Sequence, residues 1–251
     1  MERYSRNRIY VQENEQEIIK NTKIFIGGAG IGSIIAECAL RFGFECITIV
    51  DYDKVELSNL NRQNYTENDL GKSKVEVLAE RLLSINPEAK ISYHNCLIDE
   101  VNVENLIKEC NIAINALDFK SDIPFIFDSI CGKHNIPVLH PYNFGWVGFL
   151  TVVMPNGVEL SQLSEEPHGF ELHVAEYASK YANFWNAPDK GIGRVVEKYK
   201  QESLKLPPPQ LSVASWIVAG LCVSVMYDLT FGRKVKEFPK FYLSSIYDDH
   251  L

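Results

Sequence analysis

Short runs rich in β-branched residues, KIFIGG, ECITIVD, KISYHN, NIAINAL and IPVLHPY, recur between Lys23 and Tyr142, and segments of helical periodicity lie between most of them. Strands spaced by helices cannot pair through tight hairpins. They need right-handed crossovers, which put helices on the faces of a parallel sheet. The pattern predicts an α/β fold with a mostly parallel sheet covered on both faces. QENEQEIIKN reads as a short helix ahead of the first strand, and GIGSIIAECALRFG as a helix closed by Gly43. After GFLTVVMPNG, read as an antiparallel strand, the alternation stops, and residues 158–209 look polar, aromatic and irregular up to the break at LPPPQ. The apolar stretch from Leu211 to Leu229 and a last strand in KFYLSSIYD close the chain. We therefore expect one domain over residues 1–251, divided into a nucleotide-binding core (1–157), a crossover segment (158–209) and a closing helix and strand (210–251).

The turn GGAGIGS, Gly27 to Ser33, joins the first strand to the helix after it. Read as G-x-G-x-x-G it places Gly27 and Gly32 outside, with Ala29 in the middle and Gly30 beside it. Such a turn lets backbone N–H groups and a helix N-terminus approach phosphate, giving a Rossmann-like reading. A turn serving only strand-to-helix packing is the plainer alternative. Asp51 ends the second strand about 20 residues on, where a carboxylate accepts from ribose hydroxyls. Asp53 competes for that role, and either could be a simple turn residue.

An unusually long polar connection, VDYDKVELSNLNRQNYTENDLGKSKVE, follows. Loops beyond about 12 to 15 residues are uncommon inside a domain unless they work. A dinucleotide's pyrophosphate is held mainly by backbone amides, whereas a triphosphate calls for cationic side chains and a metal. Arg62 and Lys74 supply the cations. Lys72 and Lys74 stand near a helix N-terminus, where positive charge is disfavoured by about 0.3 to 1 kcal/mol, a conflict that a polyphosphate would remove. A solvated basic face is the alternative. Asp118, after the apolar run INAL, is expected to be a buried carboxylate suited to Mg²⁺, or else the cap of the next helix.

The formal charge of -8 argues against a general nucleic-acid or anionic-membrane binder. The six cysteines form no C-x-x-C pair, so neither a thiolate zinc site nor a disulfide framework is expected. With the charged start MERYSRNRIY, this reads as a cytoplasmic protein. The apolar stretch 211–229 is diluted by serines and is expected to pack on the sheet or at a subunit contact in preference to spanning a membrane.

RYSRN, GGAGIGS, VDYDKVELSNLNRQ, GKSKVE and NALDF occur in the order and approximate spacing of the ThiF/MoeB/HesA family, relatives of ubiquitin-activating enzymes, which the first 155 residues resemble. The resemblance implies ATP-dependent adenylation of a C-terminal carboxylate, on a small β-grasp ubiquitin-like or sulfur-carrier protein or a peptide. It implies that Asp51 holds the ribose and that Gly27, Gly30, Gly32, Ser58 and Asn59 line the ATP site. Arg62 and Lys74 would stabilise the triphosphate and Asp118 would bind Mg²⁺. Arg6 would act as a finger reaching into the other subunit of a homodimer, where the alternative is a surface ion pair. Departures from the family pattern include the missing four-cysteine zinc site, the missing thioester cysteine, Asn115 in place of an acidic residue and Phe119 in place of asparagine. The crossover segment, with Tyr177, Tyr181, Phe184 and Trp185, would either receive the partner or pack those rings inward as a helical cover. Two other classes stay open: a non-catalytic scaffold subunit, and an NAD-dependent oxidoreductase that makes no use of Arg62 or Lys74.

Overall fold

The computed structural model describes residues 2–202 and 206–246. A seven-stranded sheet has the order β3-β2-β1-β4-β5-β6-β7. Strands β1 (Lys23–Gly27), β2 (Cys46–Val50), β3 (Lys90–His94), β4 (Ile112–Asn115) and β5 (Val138–Phe144) run parallel. Strand β6 (Val147–Val153) turns back on β5, and β7 (Tyr242–Ser244) adds an antiparallel edge. The expected fold class is borne out. The last strand of the sequence reading extends past residue 246, outside the described residues.

Successive strands leave β1 in opposite directions, β2 and β3 on one side and β4 and β5 on the other. This reversal opens a crevice at the carboxyl ends of β1 and β4, the position where such sheets take ligands.

One face of the sheet is covered by α2 (Gly32–Phe42), α3 (Lys74–Ile85) and α8 (Ser212–Thr230). Helix α2 stops where expected: Gly43 has φ +128°, and its amide closes on Ala39 and Leu40. Helix α1 (Glu13–Asn21) buries Ile19 in the same core. Helix α8 is apolar and long enough to cross a membrane by length and composition. It lies instead on the sheet and α2, burying Ala214, Val218, Ala219, Cys222 and Met226 and leaving Trp216 exposed.

The other face carries α4 (Val103–Ile107), α5 (Ile123–Lys133), α6 (Phe170–Phe184) and α7 (Ile192–Gln201). Here the sequence reading needs correction. Much of residues 158–209 is helical: α6 starts after Gly169 and α7 after Gly191, both left-handed (φ +75° and +83°). Asp189 ties the two together by accepting from the Ser179 hydroxyl (2.7 Å) and from the amides of Gly191 and Gly193 (2.9 Å each). The aromatics divide between packed and exposed positions. Tyr177 donates to Pro239 O and Tyr181 packs edge-on against Phe241, while Phe184 and Trp185 stand exposed.

Candidate nucleotide site

The glycine turn is held from both sides of the crevice. Gly28, at φ +95°, donates to Val50 O (2.9 Å), and Ala116 donates to Gly27 O (2.8 Å). A Cβ on Gly28 would lie 2.3 Å from Ala116 O, so the close approach of β1 and β4 depends on that glycine. Ala29, the residue that breaks the simple G-x-G-x-x-G pattern, is fully buried and faces the core. Its amide donates to Asp51 Oδ2 (2.6 Å) and its carbonyl accepts from Tyr65 Oη (2.7 Å). The N–H groups of Gly30 and Ile31 find no acceptor among the described residues, and α2 begins at Gly32. Unfilled amides at a helix start form a seat for an anion.

The loop Asp51–Ser73 clamps this turn. Tyr65 is buried, and burial, followed by the charge of Asp51, holds its phenol well above the usual range, so it stays a donor. Asn64 donates its backbone N–H to Ser33 Oγ (3.0 Å) and its side-chain amide to Glu37. Glu37 is buried on α2 and also takes Arg81 (2.6 Å) from α3 and Arg41 (2.8 Å). Burial alone would raise its carboxyl, but the bonds from Arg81, Asn64 and Arg41 hold it below the ordinary range.

Asp51 stands at the end of β2. Each of its oxygens already accepts one amide, from Ala29 and from Asp53 (2.7 Å), and burial pushes its carboxyl upward despite those bonds. A carboxylate oxygen has capacity for a second donor, so each Asp51 oxygen keeps one open acceptor position. Asn59 is buried, with Oδ1 accepting from Glu56 N (3.0 Å); Ser58 is exposed and gives its carbonyl to Arg62 Nη1 (2.7 Å).

The cations differ from expectation in being already matched. Lys74 is buried and pairs with Asp53 at 2.8 Å, and Lys72 pairs with Asp69 at 3.8 Å. Their carboxylate partners offset the positive charge at the start of α3, so no bound polyphosphate is needed for that. Asp118 is corrected more strongly. It is two-thirds exposed (67 %), lies three residues past the end of β4, and pairs with Lys120 at 2.7 Å. It does not cap α5 either, since that position is Asp122. Lys120 was not singled out by sequence reasoning. Its charge is stabilised first by the bond it donates to Asp118, with Tyr52 and Asp53 contributing further. The Arg62 guanidinium is half-buried; burial lowers its affinity for the proton and the nearby Asp118 charge restores part of it.

Arg6 does not join this group. It is exposed in the segment Glu2–Asn7, which docks at the opposite edge of the sheet. Asn7 donates to Phe42 O (2.9 Å), Tyr4 to Glu45 Oε1 (2.9 Å) and Arg3 to Ile85 O (2.7 Å), at the C-terminal ends of α2 and α3. Helix α2 has 11 residues, so a length of about 16 Å separates this edge from the glycine turn.

Two more side chains went unnoticed in the sequence. Gln63 lies over Gly30, whose Cβ would stand 3.3 Å from Gln63 Nε2, and its Oε1 is buried without a partner. The Ser73 hydroxyl, just ahead of α3, is likewise buried and unpaired. Nothing in their local sequence signals this. Asn115 turns into the protein, donating to Pro124 O and Asp128 Oδ1 (2.9 Å each), and Phe119 stacks on Phe170 of α6.

A family model described as the ThiF family matches residues 4–246. The chain belongs to the ThiF family. Among curated relatives, a probable molybdopterin-synthase adenylyltransferase of Gracilaria tenuistipitata var. liui is 35% identical over 120 residues, 46% of this chain and 34% of that protein. Ubiquitin-like modifier-activating enzyme 5 of Drosophila persimilis is 38% identical over 101 residues, 40% of this chain and 26% of its own length. The matches thus span 34% and 26% of those relatives. The SAMP-activating enzyme E1 of Haloferax volcanii is 25% identical over 161 residues, 62% and 59% of the two chains. Solved structures share the fold: E. coli MccB with AMPCPP and MccA has a TM-score of 0.69 at 20% identity, covering 98% of this chain and 71% of that one. PaaA gives 0.70 at 21%, covering 99% and 80%.

Proposed function

We propose that this ThiF-family chain is an ATP-dependent adenylyltransferase that joins AMP to the C-terminal carboxylate of a small ubiquitin-like or sulfur-carrier protein or of a peptide. The observation that carries the reading is convergence: Arg62, Lys74, Lys120, Asp51 and Asp118 reach one sheet edge beside an anion seat with unfilled amides. An oxidoreductase handling a pyrophosphate would not require those cations. Relatives named as adenylyltransferase and as activating enzymes, and MccB solved with ATP, support it.

In the reaction a carboxylate oxygen attacks the α-phosphorus, the bond from that phosphorus to the β-bridging oxygen breaks, and pyrophosphate leaves with its electrons. No protein nucleophile is required, and the chain positions reactants and offsets charge. Arg62 and Lys74 would face the phosphates, Gln63 and Ser73 would complete their unmet hydrogen bonds, and Asp51 would take the ribose. Arg62, Lys74 and Lys120 are balanced by Asp51, Asp53 and Asp118, so a triphosphate would arrive with its charge largely unmet. Asp118, exposed beside Arg62, suits a nucleotide-borne Mg²⁺, which keeps most of its waters and takes one or two carboxylates. That ion would draw charge off the departing pyrophosphate.

We read none of the thiols as the next nucleophile: Cys131 and Cys222 are buried, burial pushes the Cys110 thiol up to about 12 and raises those of Cys38 and Cys96, and Cys46 donates to Lys20 O (3.4 Å). A thioester would then form on another protein. We place the protein in the cytoplasm as a homodimer in which Arg6 serves the neighbouring subunit, with residues 158–209 covering the site and the exposed Phe184 and Trp185 available to a partner. The test is ATP–pyrophosphate exchange with candidate carriers and peptides. Exchange should fall at least a hundredfold in Arg62→Ala and Asp118→Ala; exchange untouched by both would overturn the assignment.

A further inference from the structure

Arg62 is the cation with the most elaborate support. Its Nε donates to Gln210 Oε1 in a short bond across 148 positions of sequence. Its Nη1 donates to Ser58 O and to Asn61 Oδ1 (2.9 Å). A guanidinium carries five N–H groups. Three are thereby committed, and Nη2 has no acceptor among the described residues.

Gln210 is itself fixed. Its carbonyl accepts from Asn61 Nδ2 (3.3 Å). The next residue, Leu211, is clamped by Asn143 near the end of β5: Asn143 Nδ2 donates to Leu211 O (2.7 Å), and Leu211 N donates to Asn143 Oδ1 (3.3 Å). Asn143 is buried, bonds the Ser215 hydroxyl of α8 (2.9 Å), and accepts from Gly145 N (2.9 Å). A continuous path thus runs from the sheet through Asn143 and Leu211 to Gln210 and the guanidinium. A long flexible side chain otherwise loses rotamer freedom when a ligand immobilises it.

We propose that Gln210 is a positioning residue for the adenylation reaction, a strut that holds Arg62 with only its Nη2 edge free to take phosphate oxygens. The inference rests on the assignment of Arg62 to the triphosphate. It also gives the segment entering α8 a role in nucleotide binding. The opposite arrangement on the same contact has Gln210 occupying Arg62 until ATP displaces it. The two roles predict opposite signs.

The test is equilibrium binding of Mg-AMPCPP, a non-hydrolysable ATP analogue, to the full chain, so that no carboxylate partner is required. Gln210→Met keeps the length and removes the acceptor, and should weaken binding about tenfold. Gln210→Glu restores an acceptor and should recover binding to within about threefold. In an Arg62→Ala background, Gln210→Met should change nothing further, because the strut then has nothing to hold. A merely structural role would produce the same additional loss in both backgrounds. Tighter binding in Gln210→Met, or an additive loss in the double variant, overturns the inference while leaving the adenylation reading intact. If Arg62→Ala itself binds Mg-AMPCPP as the wild type does, the adenylation site falls first and the strut with it.

Discussion

Gly28→Ala tests whether the crevice depends on one missing methyl group. The added Cβ would stand 2.3 Å from Ala116 O and 2.7 Å from its carbonyl carbon, where comfortable contact begins near about 3.5 Å. One side must therefore retreat by about 1 Å. The turn is tied by Gly28 N to Val50 O at 2.9 Å and the opposing segment by Ala116 N to Gly27 O at 2.8 Å, so a retreat stretches one bond past useful range. An unmet buried amide costs about 1–3 kcal/mol, and an alanine held at φ +95° costs about 1–2 kcal/mol more. The total of roughly 2–5 kcal/mol is a large share of a typical 5–15 kcal/mol stability. Urea denaturation measures it, with Gly71→Ala as the control. Gly71 shares a positive φ (+80°) but has no atom within 4 Å of its virtual Cβ, so only the backbone cost of about 1–2 kcal/mol applies. A Gly28→Ala loss no greater than that of Gly71→Ala would refute the claim that β1 and β4 meet through this glycine.

Tyr65→Phe leaves Ala29 O without its donor and should cost about 1–2 kcal/mol in denaturation, with weaker Mg-AMPCPP binding as the glycine turn loosens. Glu37 titrates below its ordinary 4.5, so the folded state binds its proton less readily than the unfolded chain; its stabilisation is full above that value and is lost as pH falls through the lower folded one. Stability measured between about pH 5 and pH 3 should therefore fall less steeply in Glu37→Gln than in wild type, and parallel profiles would contradict this. If Arg6 serves a neighbouring subunit, Arg6→Ala and Lys74→Ala, each inactive alone, should recover up to about a quarter of wild-type exchange when co-assembled, because half the dimers then hold one intact site. No recovery in verified mixed dimers would remove Arg6 from the reaction.

How much of this was legible depended on whether the signal was periodic. Strands β1, β2, β4 and β5 and helix α2 with its Gly43 stop could be read because their buried apolar positions recur regularly, whereas β3, which buries none of its residues, was legible only from Ile91 and Tyr93 and its place in the alternation. Helix α6 escaped because its inward face is built largely of Ala175, Ala178, Ser179 and Ala182, whereas α7 carries a clear amphipathic pattern, with Ile192 and Val196 inward, that went unread. Small residues carry little hydrophobic contrast, so the segment read as irregular. Asp118 was expected to be buried because it follows INAL, but β4 ends at Asn115 and the chain has already reached solvent. Gln63, Ser73 and Gln210 lay beyond sequence reasoning because nothing local marks an unpaired atom or a contact spanning 148 residues.

The long polar connection was first a puzzle of length, and the contacts of Asp51, Asp53, Asn64 and Tyr65 give those residues the task of holding other groups in place. Tyr65 and Asp51 hold Ala29, Asn64 holds Ser33 and Glu37, and Asp53 holds Lys74. Groups aimed at developing charge act most strongly when they need no rearrangement as the reaction proceeds. The pairing of Lys74 with Asp53 fits that requirement, because it fixes the ammonium before a phosphate arrives. The same pairing leaves the edge neutral in sum, so the attraction for a triphosphate has to come from the free Nη2 of Arg62, the unfilled amides of Gly30 and Ile31, and whatever cation the nucleotide carries. A loop composed only of free lysines would attract the same ligand from further away, yet it would hold no fixed geometry on arrival.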